Sequence, residues 1–131
     1  MNEKPKILIA DDSEINRALL KEILGDGYDY LEAEDGAAAV ELMRQRTDIS
    51  LLLLDLMMPG MDGYEATRAI RLSEKADAAD IPIIALTANA FAEDAQAAHD
   101  AGMNAHLPKP LDFNKLKNML ARIKKYGSVS L

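Results

Sequence analysis

The sequence predicts an α/β fold: a doubly wound, parallel five-stranded sheet made of five βα units, (βα)5. Three observations carry this. Short apolar runs alternate with longer stretches of helical periodicity along the whole chain. The middle run, Ile49 to Leu54, is almost continuously apolar, as a strand is when helices cover both faces of its sheet. Helix-start signals follow the first three strands, at Ser13, Asp35-Gly36 and Asp62-Gly63.

In order, Ile7 to Ala10 reads as a short buried strand. Ser13 caps a helix on which Ile15, Leu19 and Ile23 recur at i, i+4 and i+8, making one apolar face that Gly25 ends. Tyr28 to Ala33 is a second strand, and its interleaved acids suit an edge position. Asp35-Gly36 opens an Ala-rich helix carrying Val40 and Met43. Ile49 to Leu54 is the central strand, Pro59-Gly60 a turn, and Asp62-Gly63 starts a helix through Ala66, Ala69 and Ile70. Ser73 to Asp80 is a polar loop. Ile83 to Leu86 is the fourth strand, with Pro82 tolerated at its start. Phe91 to Ala101 is a short fourth helix closed by Gly102, and Ala105 to Leu107 is the fifth strand. Leu116, Met119, Leu120 and Ile123 form the apolar stripe of a last helix, and Gly127 onward is a frayed tail. The two Asp-Gly helix starts are one local solution used twice, too short to be a sequence repeat.

A chain of 131 residues, 49% hydrophobic, is one domain with a core of adequate size, its ordered part running from about 5 to 125. The absence of cysteine excludes disulfide frameworks, Cys-ligated zinc and iron–sulfur sites, and thiol nucleophiles. A net charge of −7 argues against nucleic acid as a direct partner, because phosphate backbones select for Lys and Arg. The longest leucine run, Leu51 to Leu54, ends at Asp55, far short of a membrane span. MNEKPKILIADD lacks the apolar stretch of a signal peptide, so a cytoplasmic location and no membrane partner are expected.

Ligands of such sheets bind at the carboxyl ends of the strands. Asp11 and Asp12 follow strand one, Asp55 ends strand three, Thr87 ends strand four and Lys109 follows strand five. Three carboxylates brought together repel strongly unless a cation sits among them. A hard divalent ion answers that need. Mg²⁺ is the first choice, since it keeps waters and bridges to phosphate oxygens, with Mn²⁺ the alternative. A metal, the Lys109 ammonium and the Thr87 hydroxyl around one carboxylate suit a phosphoryl group, and a carboxylate can itself be the nucleophile.

These residues carry a resemblance. ILIADDSEINR, LLLLDLMMPGMDGYEATRAIR, PIIALTANAF and GMNAHLPKPLD, in this order on a (βα)5 pattern, resemble the receiver domain of two-component response regulators over residues 5 to 125. The resemblance implies the flavodoxin-like strand order 2-1-3-4-5. It implies that Asp55 is the phospho-acceptor, taking a phosphoryl group from a phosphohistidine on a histidine kinase or histidine phosphotransfer protein. Asp11, Asp12, Asp55 and the backbone carbonyl of Met57 would ligate Mg²⁺. Thr87 and Lys109 would contact the phosphoryl oxygens, Thr87 moving toward them. Lys109-Pro110 would be a cis peptide that aims the lysine. The domain would catalyse its own phosphorylation and acyl-phosphate hydrolysis, with Met57 and Asn89 tuning the latter. A protein effector would read the face formed by the fourth helix, the fifth strand and the last helix. The chain would be a monomer or a weak phosphorylation-dependent dimer. His106 departs from the family, which carries Tyr or Phe at this switch position, and an imidazole is smaller and can be charged near neutral pH. MMPGMDGYEATRAIR and LTANAFAEDAQAAHDAGMNAHLPKP look more like hybrid-kinase receivers than stand-alone regulators.

Taken singly, these residues are ordinary. Asp11 and Asp12 would be a solvated cap cluster, Thr87 a strand-end hydroxyl and Lys109 a surface lysine. Asp55 stands apart, because a carboxylate ending a leucine run is costly to bury without a purpose. His99 and His106 have no spacing for a metal pair, and His99 is expected to be exposed. The methionines read as core filler, with Met57, Met58 and Met61 near the active loop. Lys115, Lys117, Arg122, Lys124 and Lys125 read as the wet face of the last helix, or as a docking surface. Three other functions compete. A degenerate receiver that only docks partners would not need the full set of site residues. A haloacid dehalogenase-like phosphatase needs an acid two residues after its nucleophile, where this chain has Met57. A flavodoxin-like cofactor binder needs a hydroxyl- or glycine-rich phosphate loop, where this chain has DDSEIN.

Overall fold

The computed structural model describes residues 4–46, 48–56, 58, 60–72, 81–87, 96, 99–108 and 113–126. Strands β1 (Lys6–Ala10), β2 (Asp29–Ala33), β3 (Ile49–Asp55), β4 (Ile83–Thr87) and β5 (Ala105–Pro108) form one sheet in the order β2-β1-β3-β4-β5. Every neighbouring pair is parallel. Helices α1 (Glu14–Leu24), α2 (Gly36–Gln45) and α3 (Gly63–Arg71) follow the first three strands, and a C-terminal helix (Phe113–Tyr126) follows β5. The fold is therefore the doubly wound α/β domain expected, with β2 at an edge and β3 in the centre. Of the expected fourth helix, residues 96 and 99–101 are described and helical, and the loop 73–80 and the tail from Gly127 lie outside the described residues.

Alternation along the strands divides the core in two. Leu8, Leu52, Leu54, Ile83 and Ala85 face α2 and α3 and pack with Val40, Met43, Ala66 and Ile70. Ile7, Ile9, Leu53, Ile84 and Leu86 face α1 and the C-terminal helix and pack with Leu20, Leu24 and Leu116. Full burial of each large aliphatic side chain contributes roughly 1.5–3 kcal/mol.

One sequence expectation is corrected on α1. Ile15 and Leu19 do not face the core; they are 80% and 54% exposed. Ile23 is half-buried at the rim, and the inward residues are Arg17, Leu20 and Leu24. Two apolar stripes lie side by side on this helix, one residue apart. The inner one is tied down by Arg17, whose acceptors lie beneath the helix.

The two Asp-Gly helix starts behave alike, and each residue has its own task. The Asp35 carboxylate accepts from the Ala38 amide at 2.7 Å and the Asp62 carboxylate from the Glu65 amide at 2.9 Å, so both cap a helix. The glycines allow close approach: Gly36 lies against the Met61 carbonyl and Gly63 against the Asp55 carbonyl. At the other end of the sheet, Arg71 donates to the carbonyls of Gly102 (2.8 Å) and Ile81 (2.6 Å) and to Asn104 Oδ1 (2.8 Å), tying α3 to the entries of β4 and β5. Gly102 has a φ of 106°, a conformation that suits glycine alone, and its N–H donates to His99 at 3.0 Å.

Candidate functional site

The residues expected to carry chemistry leave the carboxyl ends of β1, β3 and β4, which topology makes adjacent. Asp11 immediately follows β1 and is completely buried, while Asp12 is exposed. Asp55 is the last residue of β3 and is 4% exposed. One oxygen from each of the three carboxylates falls within 4.8 Å of the others.

Hydrogen bonds hold both backbone polar groups of Asp11 in the loop between β1 and α1. The Asp11 N–H donates to the Ala33 carbonyl of β2 at 3.1 Å, and the Asp11 carbonyl accepts from Arg17 Nη1 at 2.6 Å. Asp11 Oδ1 accepts from the Ser13 N–H at 2.9 Å, and Ser13 Oγ accepts from the Asn16 N–H at 3.2 Å, so Ser13 caps α1 as expected. Arg17 donates through Nε to Glu32 Oε1 at 2.9 Å, and Lys21 donates to Glu32 Oε2 at 3.0 Å. The Lys21 hydrogen bond, assisted by Arg17 and opposed by partial burial, holds the Glu32 carboxyl below its ordinary range.

Asp55 is the register partner of Leu86, and the Leu56 N–H donates to the Leu86 carbonyl at 3.0 Å. Thr87, buried at the end of β4, thus sits one residue beyond the partner of Asp55. Its own register partner is Pro108, which Lys109 follows in the chain. His106 pairs with Ala85 and shares a sheet face with Thr87, two rows along. Its Nδ1 is buried without a hydrogen-bond partner. Met57, Asn89, Lys109 and Pro110 lie outside the described residues. His99 is exposed as expected, as are Lys115 and Lys117 on the C-terminal helix, and Met58 is buried in the core cluster against which Met61 packs.

The donor set fits a hard divalent ion. A Mg²⁺ octahedron with bonds of about 2.1 Å places its ligand oxygens roughly 3 to 4.2 Å apart, a spacing that three oxygens within 4.8 Å reach by small rotations.

Two residues that shape the site carry no motif that marks them for that role. Arg17 hides inside a helix pattern. Its signal is that it shares i, i+3 and i+7 spacing with Leu20 and Leu24, a cation in an apolar stripe. In the sequence Gly63 marks only a helix start, and nothing local signals its approach to Asp55.

Residues 7–121 match the response regulator receiver domain family. The chain is 39% identical over 121 residues to the sensor histidine kinase RcsC of Salmonella typhi, covering 92% of this chain and 12% of that kinase. Its structure resembles the receiver domain of the sensor histidine kinase PA1611 from Pseudomonas aeruginosa PAO1, crystallised with a magnesium ion in its active site cleft. The TM-score is 0.82 at 36% identity, covering 92% of this chain and 97% of that one. It also resembles a chain of the co-crystal of the Saccharomyces cerevisiae histidine phosphotransfer protein Ypd1 with the receiver domain of Ssk1. There the TM-score is 0.79 at 27% identity, covering 92% of this chain and 91% of that one. The matched length, the parallel sheet and the acidic cluster agree, and the chain belongs to the response regulator receiver domain family.

Proposed function

We propose that this chain is a single phospho-accepting receiver domain, spanning about residues 5–125, that takes a phosphoryl group from a phosphohistidine onto Asp55. The observation that carries this reading is the convergence of Asp11, Asp12 and Asp55 within 4.8 Å, at the strand ends beside Thr87. Asp11, Asp12, Asp55 and the Met57 carbonyl would hold Mg²⁺, or Mn²⁺ in its place. When bound, the ion neutralises charge on the carboxylates and on the phosphoryl oxygens.

The chain's own residues do the rest. A carboxylate oxygen of Asp55 attacks phosphorus as the bond to the histidine nitrogen breaks, and the electron pair of that bond stays on the imidazole. The Thr87 hydroxyl would donate to a phosphoryl oxygen, and the Lys109 ammonium would balance the charge of another. Met57 and Asn89 would tune hydrolysis of the acyl phosphate. Asp55 is 4% exposed, so little of its carboxylate meets bulk water before transfer.

The donor is a histidine kinase or a histidine phosphotransfer protein in the cytoplasm. Ile15 and Leu19, exposed on the first turns of α1 at the same end of the sheet, offer it an apolar seat beside Asp12. The effector reads the surface that includes β5 and the C-terminal helix, where His106 replaces the family's aromatic switch residue.

The decisive experiment is intact mass after incubation with a small-molecule phosphodonor and Mg²⁺, and then with a phosphorylated histidine phosphotransfer protein. One phosphoryl adduct, base-labile and absent from Asp55→Asn, is expected, and Asp12→Ala is expected to weaken the ion's effect. An adduct retained by Asp55→Asn rejects Asp55 as acceptor. No adduct from either donor makes the chain a docking module instead.

A further inference from the structure

Arg17 is one of the few buried charged residues among those described, and neither of its hydrogen bonds reaches a site carboxylate. Nη1 donates to the Asp11 carbonyl at 2.6 Å, and Nε donates to Glu32 on β2 at 2.9 Å. The Asp11 carbonyl belongs to the same rigid peptide plane as the Asp12 N–H. Holding that oxygen restrains the plane and so the place of the Asp12 Cα, and the Ser13 N–H, held by Asp11 Oδ1 at 2.9 Å, restrains the peptide that follows and so the direction of the Asp12 Cα–Cβ bond. The Asp11 N–H, held by Ala33 at 3.1 Å, fixes the preceding plane. Asp12 is exposed and has little packing of its own, so the location of its carboxylate depends on this frame.

We propose that Arg17, oriented by Glu32, is a positioning residue for the divalent-ion site: it locks the Asp11–Asp12 peptide so that both carboxylates converge on Asp55. The inference rests on the reading that these three carboxylates hold a divalent cation. Arg17 suits the task because a planar guanidinium serves a carbonyl and a carboxylate at once with fixed angles. A lysine ammonium can reach one or the other but cannot hold their relative orientation. Glu32 supplies the anion that makes burial of the guanidinium tolerable, and Lys21 steadies Glu32 from the opposite side at 3.0 Å.

The test is Mn²⁺ affinity from the free-ion signal in electron paramagnetic resonance, on wild type, Arg17→Met, Arg17→Lys and Glu32→Gln. Unfolding curves without metal confirm that each variant is folded under the assay conditions. Removing a group that orients metal ligands weakens affinity by about 10- to 100-fold, and the lower end is expected for Arg17→Met. Arg17→Lys is expected to recover part of the loss, and Glu32→Gln to weaken binding by a smaller factor in the same direction. Wild-type affinity in a folded Arg17→Met overturns the positioning role. Should that variant fail to fold, wild-type affinity in Glu32→Gln overturns it equally. A wild type that binds no Mn²⁺ while Asp55 is still phosphorylated removes the cation reading beneath it, a result distinct from the first two.

Discussion

Gly63 lies so close to Asp55 that a Cβ on the glycine would stand 2.7 Å from the Asp55 carbonyl oxygen and 2.8 Å from the Leu56 Cα. Both neighbours are backbone, so neither can turn aside. Gly63→Ala must push the start of α3 away from the end of β3. The helix-propensity gain of alanine is at most about 1 kcal/mol, and such overpacking costs roughly 1–3 kcal/mol. The clash wins. Urea unfolding is expected to show a net loss of stability, together with slower phosphorylation of Asp55. Gly27→Ala is the control, since a Cβ there meets nothing within 4 Å, and it is expected to change stability by less than about 0.5 kcal/mol.

The exposed stripe on α1 separates docking from chemistry. Ile15→Ser with Leu19→Ser removes apolar surface that packs against nothing in the core, so stability is expected to stay within about 0.5 kcal/mol. Phosphorylation by a small-molecule donor should keep its rate, while transfer from a histidine phosphotransfer protein should slow by about tenfold, the effect of losing roughly 1.4 kcal/mol of contact. Equal slowing with both donors would place the defect in the site and refute the docking role.

Glu32 provides a pH test with a defined sign. Its folded carboxyl is held below its ordinary value, first by the Lys21 hydrogen bond. A depressed carboxyl contributes stability that is complete above the unfolded value and is lost as pH falls through the folded one. The pair with Lys21 is partly exposed, so solvent screening keeps this contribution to about 1 kcal/mol or less. Denaturation of wild type and Glu32→Gln should therefore differ by a constant amount near neutral pH. The two curves should converge in acid, below the ordinary glutamate range near 4.3. A gap that persists unchanged into strong acid would show that titration of Glu32 contributes nothing.

The strands were legible because burial on two faces leaves a continuous apolar run: Ile49 to Leu54 could hardly be anything but the centre of a parallel sheet. Asp11, Asp12 and Asp55 were legible because a parallel sheet gathers every strand's carboxyl end on one side. The inward face of α1 was not. Ile15-Leu19-Ile23 and Leu20-Leu24 are both apolar stripes, and packing of Leu20 and Leu24 on the sheet, with the contacts of Arg17, selects the second. The approach of Gly63 to Asp55 was equally invisible, since a close contact between backbones has no periodicity. For Arg17, the spacing with Leu20 was present in the sequence, but its partners lie on β2 and on the loop after β1.

The sheet order also bears on how the protein is made. Asp11 and Asp55 come from strands that are spatial neighbours, although a helix, an edge strand and a second helix lie between them in the chain. Each parallel pairing waits for its crossover, so these long-range closures come late in folding relative to local helices. A ribosome must release Thr87 and the strand beside it before the acids have a floor to stand on. No proteolytic fragment holding a single βα unit can assemble the group. A chain that stops before β4 would carry every acid of the site and still lack the strand that pairs with Asp55.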